Sequence, residues 1–235
     1  MAITALILCA LFVVIAGAAR PILQRRNTGD AGIRLISARP TTVQWWAHYG
    51  AGIGGLTTGL AAPIAELIGL APLGILDHPL TRGVGVLLAV LGILATFAAQ
   101  VAMGASWRIG VNAAETTTLV TGGPFRIVRN PIFSAMQLAF LGLALMVPNW
   151  VAVIGLVVML LGNEAQVRLV EEPYLRQAHG TAYTNYASQV GRFLPGIGRH
   201  RGPRWPRRRS APASPRGSAR RTHRPDWRSS THRAG

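Results

Sequence analysis

Two stretches of this 235-residue chain set polar, chemically capable side chains beside long apolar runs. The first is Thr117-Thr118-Leu119-Val120-Thr121-Gly122-Gly123-Pro124-Phe125-Arg126-Ile127-Val128-Arg129-Asn130-Pro131-Ile132-Phe133. Gly-Gly-Pro reads as a turn, a short basic segment follows, and Asn130-Pro131 starts a helix. Proline costs no hydrogen bond at a first-turn position, and Asn130 is the expected N-cap. A helix N-terminus can receive an anionic group such as a carboxylate. A plain junction between a loop and a membrane helix has the same residues, with Arg126 and Arg129 as markers of the cytoplasmic side. The second stretch is Glu164-Ala165-Gln166-Val167-Arg168-Leu169-Val170-Glu171-Glu172-Pro173-Tyr174-Leu175. Three- and four-residue spacing predicts Glu164, Arg168, Glu171 and Glu172 on one helical face, with Pro173 stopping or kinking the helix directly after them. That face is either a salt-bridged surface emerging into water or a site for a cationic, hydroxyl-rich ligand.

The elements that must position these residues are membrane helices. Half of the chain is hydrophobic and only 14% is charged, and the apolar residues lie in blocks. A bilayer core about 30 Å thick needs roughly 20 mostly apolar residues per spanning helix. Blocks at 2–19, 49–76, 84–103, 132–147 and 151–161 predict five transmembrane helices. The first is expected to be a retained span, because no basic residue precedes Arg20 as a signal peptide requires. The second is expected to be one kinked span, interrupted by Pro63, Glu66 and Pro72. Pro148-Asn149-Trp150 joins the last two as a helical hairpin. Glu66 is either functional or near an interface, since ionisable groups deep in apolar spans are expensive. His48, among Trp45, Trp46 and Tyr49, reads as part of an aromatic belt.

All 24 basic residues are Arg, and the formal net charge is +16. The segments 20–48, 104–131 and 162–235 are basic, whereas 77–83 and 148–150 are nearly neutral. Five spans put the basic segments on one side, which predicts a multi-pass cell-membrane protein with its C-terminus in the cytoplasm. The tail holds twelve Arg against Asp226. It has no apolar period and is expected to be disordered, attracted to anionic lipid headgroups. Nucleic acid is a disfavoured partner, and no obligate protein partner is evident. The single cysteine, Cys9, excludes a multi-Cys metal site, and no metal is expected. The chain thus divides into N-terminal spans with a loop (1–103), a motif region with a helical hairpin and an amphipathic cytoplasmic helix (104–198), and a basic tail (199–235).

Taken together, the two polar stretches resemble the isoprenylcysteine carboxyl methyltransferase family and the related membrane phospholipid methyltransferases. The shared pattern is Leu119-Val120-Thr121, Phe125, Arg129-Asn130-Pro131-Ile132-Phe133, a hairpin, Glu171-Glu172-Pro173-Tyr174-Leu175, Gly180, Tyr183, Tyr186 and Arg192-Phe193-Leu194-Pro195, in that order over residues 100–198. Asn130 stands where eukaryotic members carry His, and Phe133 stands where an aromatic hydroxyl is usual. The resemblance implies an all-α membrane fold and S-adenosyl-L-methionine as cofactor. It implies cofactor contacts from Thr117, Thr118, Leu119, Val120, Phe125, Asn130, Pro131, Ile132, Phe133 and Glu171. Arg168 or Arg129 would clamp a substrate carboxylate, with Glu172 beside them. The acceptor would be a membrane lipid, an isoprenoid or a small hydrophobic carboxylate or thiol, and the all-Arg bias suggests a bacterial member. Two other functions fit the sequence: an NADPH-dependent membrane reductase of the sterol type, and a non-catalytic anchor presenting its basic tail.

Overall fold

The computed structural model describes residues 1–33, 40–108 and 118–200. Thr117, expected to touch the cofactor, and the 201–235 part of the tail, expected to be disordered, lie outside the described residues. Five long helices carry the described chain: α1 (Ala2–Thr28), α2 (residues 43–67), α3 (Pro79–Ala102), α4 (Pro131–Met146) and α5 (Trp150–Gln189). Their starts follow local capping chemistry. The Thr42 hydroxyl accepts from the Trp45 amide, His78 Nδ1 from the Leu80 amide and Asn149 Oδ1 from the Ala152 amide at 3.0 Å. The α4–α5 hairpin turns at Pro148-Asn149 as the sequence predicts.

α1, α3 and α5 are long and apolar enough to cross a membrane, and α4 is a shorter apolar helix. α5 has 40 residues, but two helices meet in it at a kink at Gly180, where φ is 52° and ψ −121°. Its N-terminal part, up to about Gly162, is apolar, and the part from Glu164 onward carries Glu164, Arg168, Glu171, Glu172 and Arg176. The second apolar block differs from expectation: α2 begins earlier, at Val43, and ends at Leu67, and residues 68–78 form a turn-rich connection. There Glu66 pairs with Arg82 at 2.9 Å, and Arg82 also holds Asp77 and the Met146 carbonyl. Glu66 thus fastens α2 to α3 and α4 at one end of the bundle.

Three prolines inside long helices share one device. Pro21, Pro63 and Pro173 each follow, one residue on, a π-helical segment: Val13–Ala19, Thr57–Ala61 and Gln166–Glu171. Proline supplies no N–H and crowds the preceding turn. Widening that turn lets a carbonyl bond five residues ahead, as Thr57 does with Ala62 and Val167 with Glu172. Pro173 therefore neither stops nor sharply kinks α5. The helix passes through it with its faces rotated.

Helices α2 and α5, and α3 and α4, touch backbone to backbone. A Cβ on Gly54 would lie 2.6 Å from the Gly155 carbonyl, one on Gly162 2.8 Å from the Ala47 carbonyl, and one on Gly142 2.6 Å from the Gly85 carbonyl. Lipid gives no hydrophobic drive between helices, so small residues that permit close approach supply the packing. Phe12 of α1 meets Phe140 of α4 edge-on at 5.1 Å and closes the bundle. Two substitutions of the same kind test this packing. Gly92→Ala presses a methyl to 2.6 Å from Ala139 Cα and is expected to destabilise by about 1–3 kcal/mol. Gly83→Ala meets nothing within 4 Å and is expected to stabilise by up to about 1 kcal/mol through helix propensity. Thermal unfolding in detergent micelles reads both.

Candidate functional site

The polar loop before α4 is fastened to the chain after α5. Gly122-Gly123-Pro124 turns, with Gly123 at φ 56°, into a short 3-10 helix, Gly123–Arg126. Val128 pairs with Gly191 in an isolated parallel bridge. The Arg129 amide donates to the Gly191 carbonyl at 2.8 Å and the Asn130 amide to that of Arg192 at 3.1 Å. Tyr186 donates its hydroxyl to the Phe125 carbonyl at 2.6 Å, and Ser134 does the same to Phe193 at 2.7 Å. Asn130 occupies the N-cap position of α4, but its side chain makes no cap. It donates instead to the Arg192 carbonyl at 3.2 Å.

Beneath this clamp, the Glu172 carboxylate, 2% exposed, gathers four cationic or titratable partners. Arg129 Nη2 reaches it at 2.7 Å, Arg192 Nε at 2.7 Å, Arg176 at 3.3 Å and His200 Nε2 at 3.1 Å. Arg129 also donates to the carbonyls of Ala187, Val190 and Gly198. Burial by itself would push the Glu172 carboxyl up, but hydrogen bonds from Arg192 and Arg129 and their charges outweigh it and hold it at about 2. Arg192 moves upward through the same hydrogen bond.

Glu171 is next in sequence yet faces elsewhere. It lies against Gln166 and lines a cavity of about 360 Å³, while Glu172 points into the ion cluster. Expectation had set Glu164, Arg168, Glu171 and Glu172 on one face; instead the extra residue of the π turn Gln166–Glu171 divides them. Glu164 and Arg168 pair with each other on the exposed side. Desolvation pushes the Glu171 carboxyl up to about 7; the Gln166 contact opposes that rise and the neighbouring Glu172 charge adds to it. Tyr183 and Tyr186 on the same wall are pushed up to about 12, chiefly by burial, so both stay neutral hydroxyls.

The cavity brings together residues far apart in sequence. Thr118, Leu119, Val120, Phe125, Asn130, Pro131, Ile132, Phe133 and Glu171 all line it. Arg129 lines it too, with Nη1 and Nη2 taken up by Glu172 and three carbonyls and Nε buried without a hydrogen-bond partner among the described residues. Arg168 and Glu172 are not on its wall. Of the two Arg expected to clamp a substrate carboxylate, Arg168 is exposed and off the wall, whereas Arg129 is on it and paired with Glu172. Sequence reasoning missed Gln166, Tyr174, Leu175, Met136, Gln100, Trp107 and His48, which complete the wall. Tyr183 and Tyr186, spaced by three, carried a visible signal; the helix α1, α2 and α3 contributions carried none. Trp107, 2% exposed, is held under Arg20 at 4.8 Å, and Arg20 donates to the Gln100 and Gly104 carbonyls.

A helical membrane bundle with this cavity between the α4 loop and the charged part of α5 defines a class, and comparison with known proteins agrees with it. Residues 80–182 match the family described as phospholipid methyltransferase. Protein-S-isoprenylcysteine O-methyltransferase A of Arabidopsis thaliana is 28% identical over 124 residues, 52% of this chain and 63% of that protein. Protein-S-isoprenylcysteine O-methyltransferase B of the same plant is 28% identical over 134 residues, 56% of this chain and 67% of its own length. The chain thus spans about two thirds of the relatives it matches. Over this region it is similar to the phospholipid methyltransferase family and to these isoprenylcysteine O-methyltransferases.

Removing the buried anion is expected to be far costlier than removing the exposed cation. Glu172→Gln leaves Arg129 and Arg192 buried without a counter-ion, a loss of about 3–5 kcal/mol. Arg168→Ala removes an exposed pair of about 0–1 kcal/mol. Because Glu172 sits at about 2 when folded, its contribution is complete above the ordinary carboxylate range and is lost as pH falls toward 2. Unfolding curves of both variants at pH 7, with wild type followed down to pH 3, check this.

Proposed function

We propose that the protein is an integral membrane methyltransferase that uses S-adenosyl-L-methionine and acts on an acceptor with an apolar body, a lipid, an isoprenoid or a small hydrophobic molecule. The observation that carries this reading is the convergence of the 118–133 loop and Glu171 on one cavity. Its 360 Å³ lies within the range of small-molecule sites. The donor set suits the cofactor. Glu171 and the amide oxygen of Gln166, which is buried without a hydrogen-bond partner among the described residues, can accept from an ammonium or ribose hydroxyls. Leu119, Phe125, Ile132 and Phe133 offer apolar faces to a nucleobase.

Bound there, S-adenosylmethionine supplies a methyl group already activated by its sulfonium. The chain's part is to align and to exclude water, and positioning of this kind is worth about 7–11 kcal/mol in well-oriented cases. The Glu172 cluster and the Tyr186–Phe125 bond do this by locking the loop to α5. We further propose five spans with both polar stretches and the C-terminus on the cytoplasmic side of the cell membrane, and an Arg tail held to anionic headgroups. A basic face beside the cofactor site suits a cofactor supplied from the cytosol.

Glu171→Ala is expected to weaken S-adenosylhomocysteine binding at least tenfold by isothermal titration, while NADPH gives no heat. With Glu171 near 7, a cationic amino group is favoured by its ionised form. Wild-type affinity for S-adenosylmethionine is therefore expected to rise between pH 6 and 8, and the Glu171→Ala affinity to stay flat.

A further inference from the structure

The irregular loop that follows α5, residues 191–198, has its backbone paired inward and its apolar side chains turned out. The carbonyls of Gly191 and Arg192 accept from the Arg129 and Asn130 amides, and that of Phe193 accepts from the Ser134 hydroxyl. The Leu194 and Ile197 carbonyls accept from the Ile197 and Arg192 amides, and Arg129 Nη2 takes up that of Gly198. Glycine makes this path possible at two turns, Gly196 at φ 76° and Gly198 at φ 75°, a region open to residues without a Cβ. On either side of Pro195-Gly196, Leu194 is 57% exposed and Ile197 63%. Non-helical backbone is tolerated at membrane depth only where its polar groups are satisfied, and this loop meets that condition to an unusual degree for an exposed turn.

The loop's attachment and surroundings say what covers it. Ser134, in the first turn of α4, holds Phe193 at 2.7 Å, which ties the loop to the end of α4 where the apolar run begins. α4 has 16 residues, about 24 Å at 1.5 Å per residue, against a hydrocarbon core of about 30 Å. The flanking surface is basic. Arg126, two residues before the Val128–Gly191 bridge, and Arg199 are both exposed. Arg199 reaches back across the tip, since a Cβ on Gly196 would lie 3.6 Å from its Nη2. No acid occurs between Pro173 and His200, or between Thr116 and Asn163.

We infer that the Leu194–Ile197 tip inserts into the membrane leaflet beside the site, with Arg126 and Arg199 on anionic headgroups. The inference rests on the reading of α4 as a span and goes beyond the proposed chemistry. Apolar side chains backed by Arg settle at the boundary between headgroups and acyl chains, and each Arg there gains from a negatively charged leaflet. The tip supplies the depth that α4 lacks at this end. Because Arg129, Asn130 and Ser134 hold the same loop, insertion also fixes the cavity wall at the leaflet surface.

The full chain, with buried Cys9 replaced by Ala, is labelled with a fluorophore at Ile197→Cys, Asn185→Cys or Leu141→Cys. Asn185 is exposed near the end of α5, and Leu141 is exposed within α4. Each protein is reconstituted into phosphatidylcholine vesicles with or without phosphatidylglycerol. The label at 197 is expected to be quenched by lipids spin-labelled near the headgroup and shielded from aqueous iodide, and the label at 185 to show the reverse. Burying one such side chain shifts an equilibrium by about tenfold, so Leu194→Ser is expected to raise iodide quenching at 197 by about that factor. Phosphatidylglycerol is expected to deepen the label at 197, and Arg126→Gln with Arg199→Gln to abolish that dependence. Leu194→Cys serves if Ile197→Cys does not fold. Equal iodide quenching at 197 and 185 overturns the inference. Shielding at 197 without quenching by lipid also overturns it, because a second copy of the chain then covers the tip. If lipids spin-labelled midway along the acyl chain fail to quench the label at 141, the spanning of α4 fails, and the inference with it.

Discussion

The Glu172 carboxylate is the constraint on which the site depends. It is buried beside two guanidiniums that arrive from opposite directions, Arg129 from the loop before α4 and Arg192 from the chain after α5. A buried charge is tolerated only when paired and hydrogen-bonded, so neither loop can leave without exposing the others to a large penalty. The same Arg129 then caps the Ala187 and Val190 carbonyls at the α5 terminus and the Gly198 carbonyl beyond it. One ion cluster thus fixes the distance between two stretches that are about 40 residues apart. The cavity wall is the consequence.

A second acid beside Glu172 converts this anchor into a site. Two adjacent helical residues point about 100° apart, which is enough to send Glu172 into the cluster and Glu171 into the cavity. The turn widened before Pro173 offsets both from the Glu164–Arg168 face. One residue acquires a very acidic carboxyl and its neighbour a nearly neutral one, at about 2 and about 7. Opposite environments, not different chemistry, separate their roles.

The sequence made the all-helical membrane class legible, because apolar blocks and bracketing Arg residues need no tertiary knowledge. It made the loop and Glu171 legible as one site only through the order of short motifs. It could not reveal which Arg was committed to Glu172, since both candidates are basic residues near a carboxylate pair and only burial distinguishes them. Nor could it place His48. Belt aromatics at 45, 46 and 49 surround it, and one residue of helical rotation decides between lipid and cavity. Gly54 of the Gly-rich block lets α2 touch α5. A glycine's partner across a helix interface leaves no local trace.

The central claim is that both stretches surround one adenosyl group. Direct ultraviolet cross-linking of methyl-labelled S-adenosylmethionine to the micelle-bound protein, followed by peptide mapping, tests it most directly. Label is expected on peptides containing residues 118–133 and 166–175, and competed away by S-adenosylhomocysteine. Label confined to other helices, or uncompeted label on the Arg tail, would contradict the account.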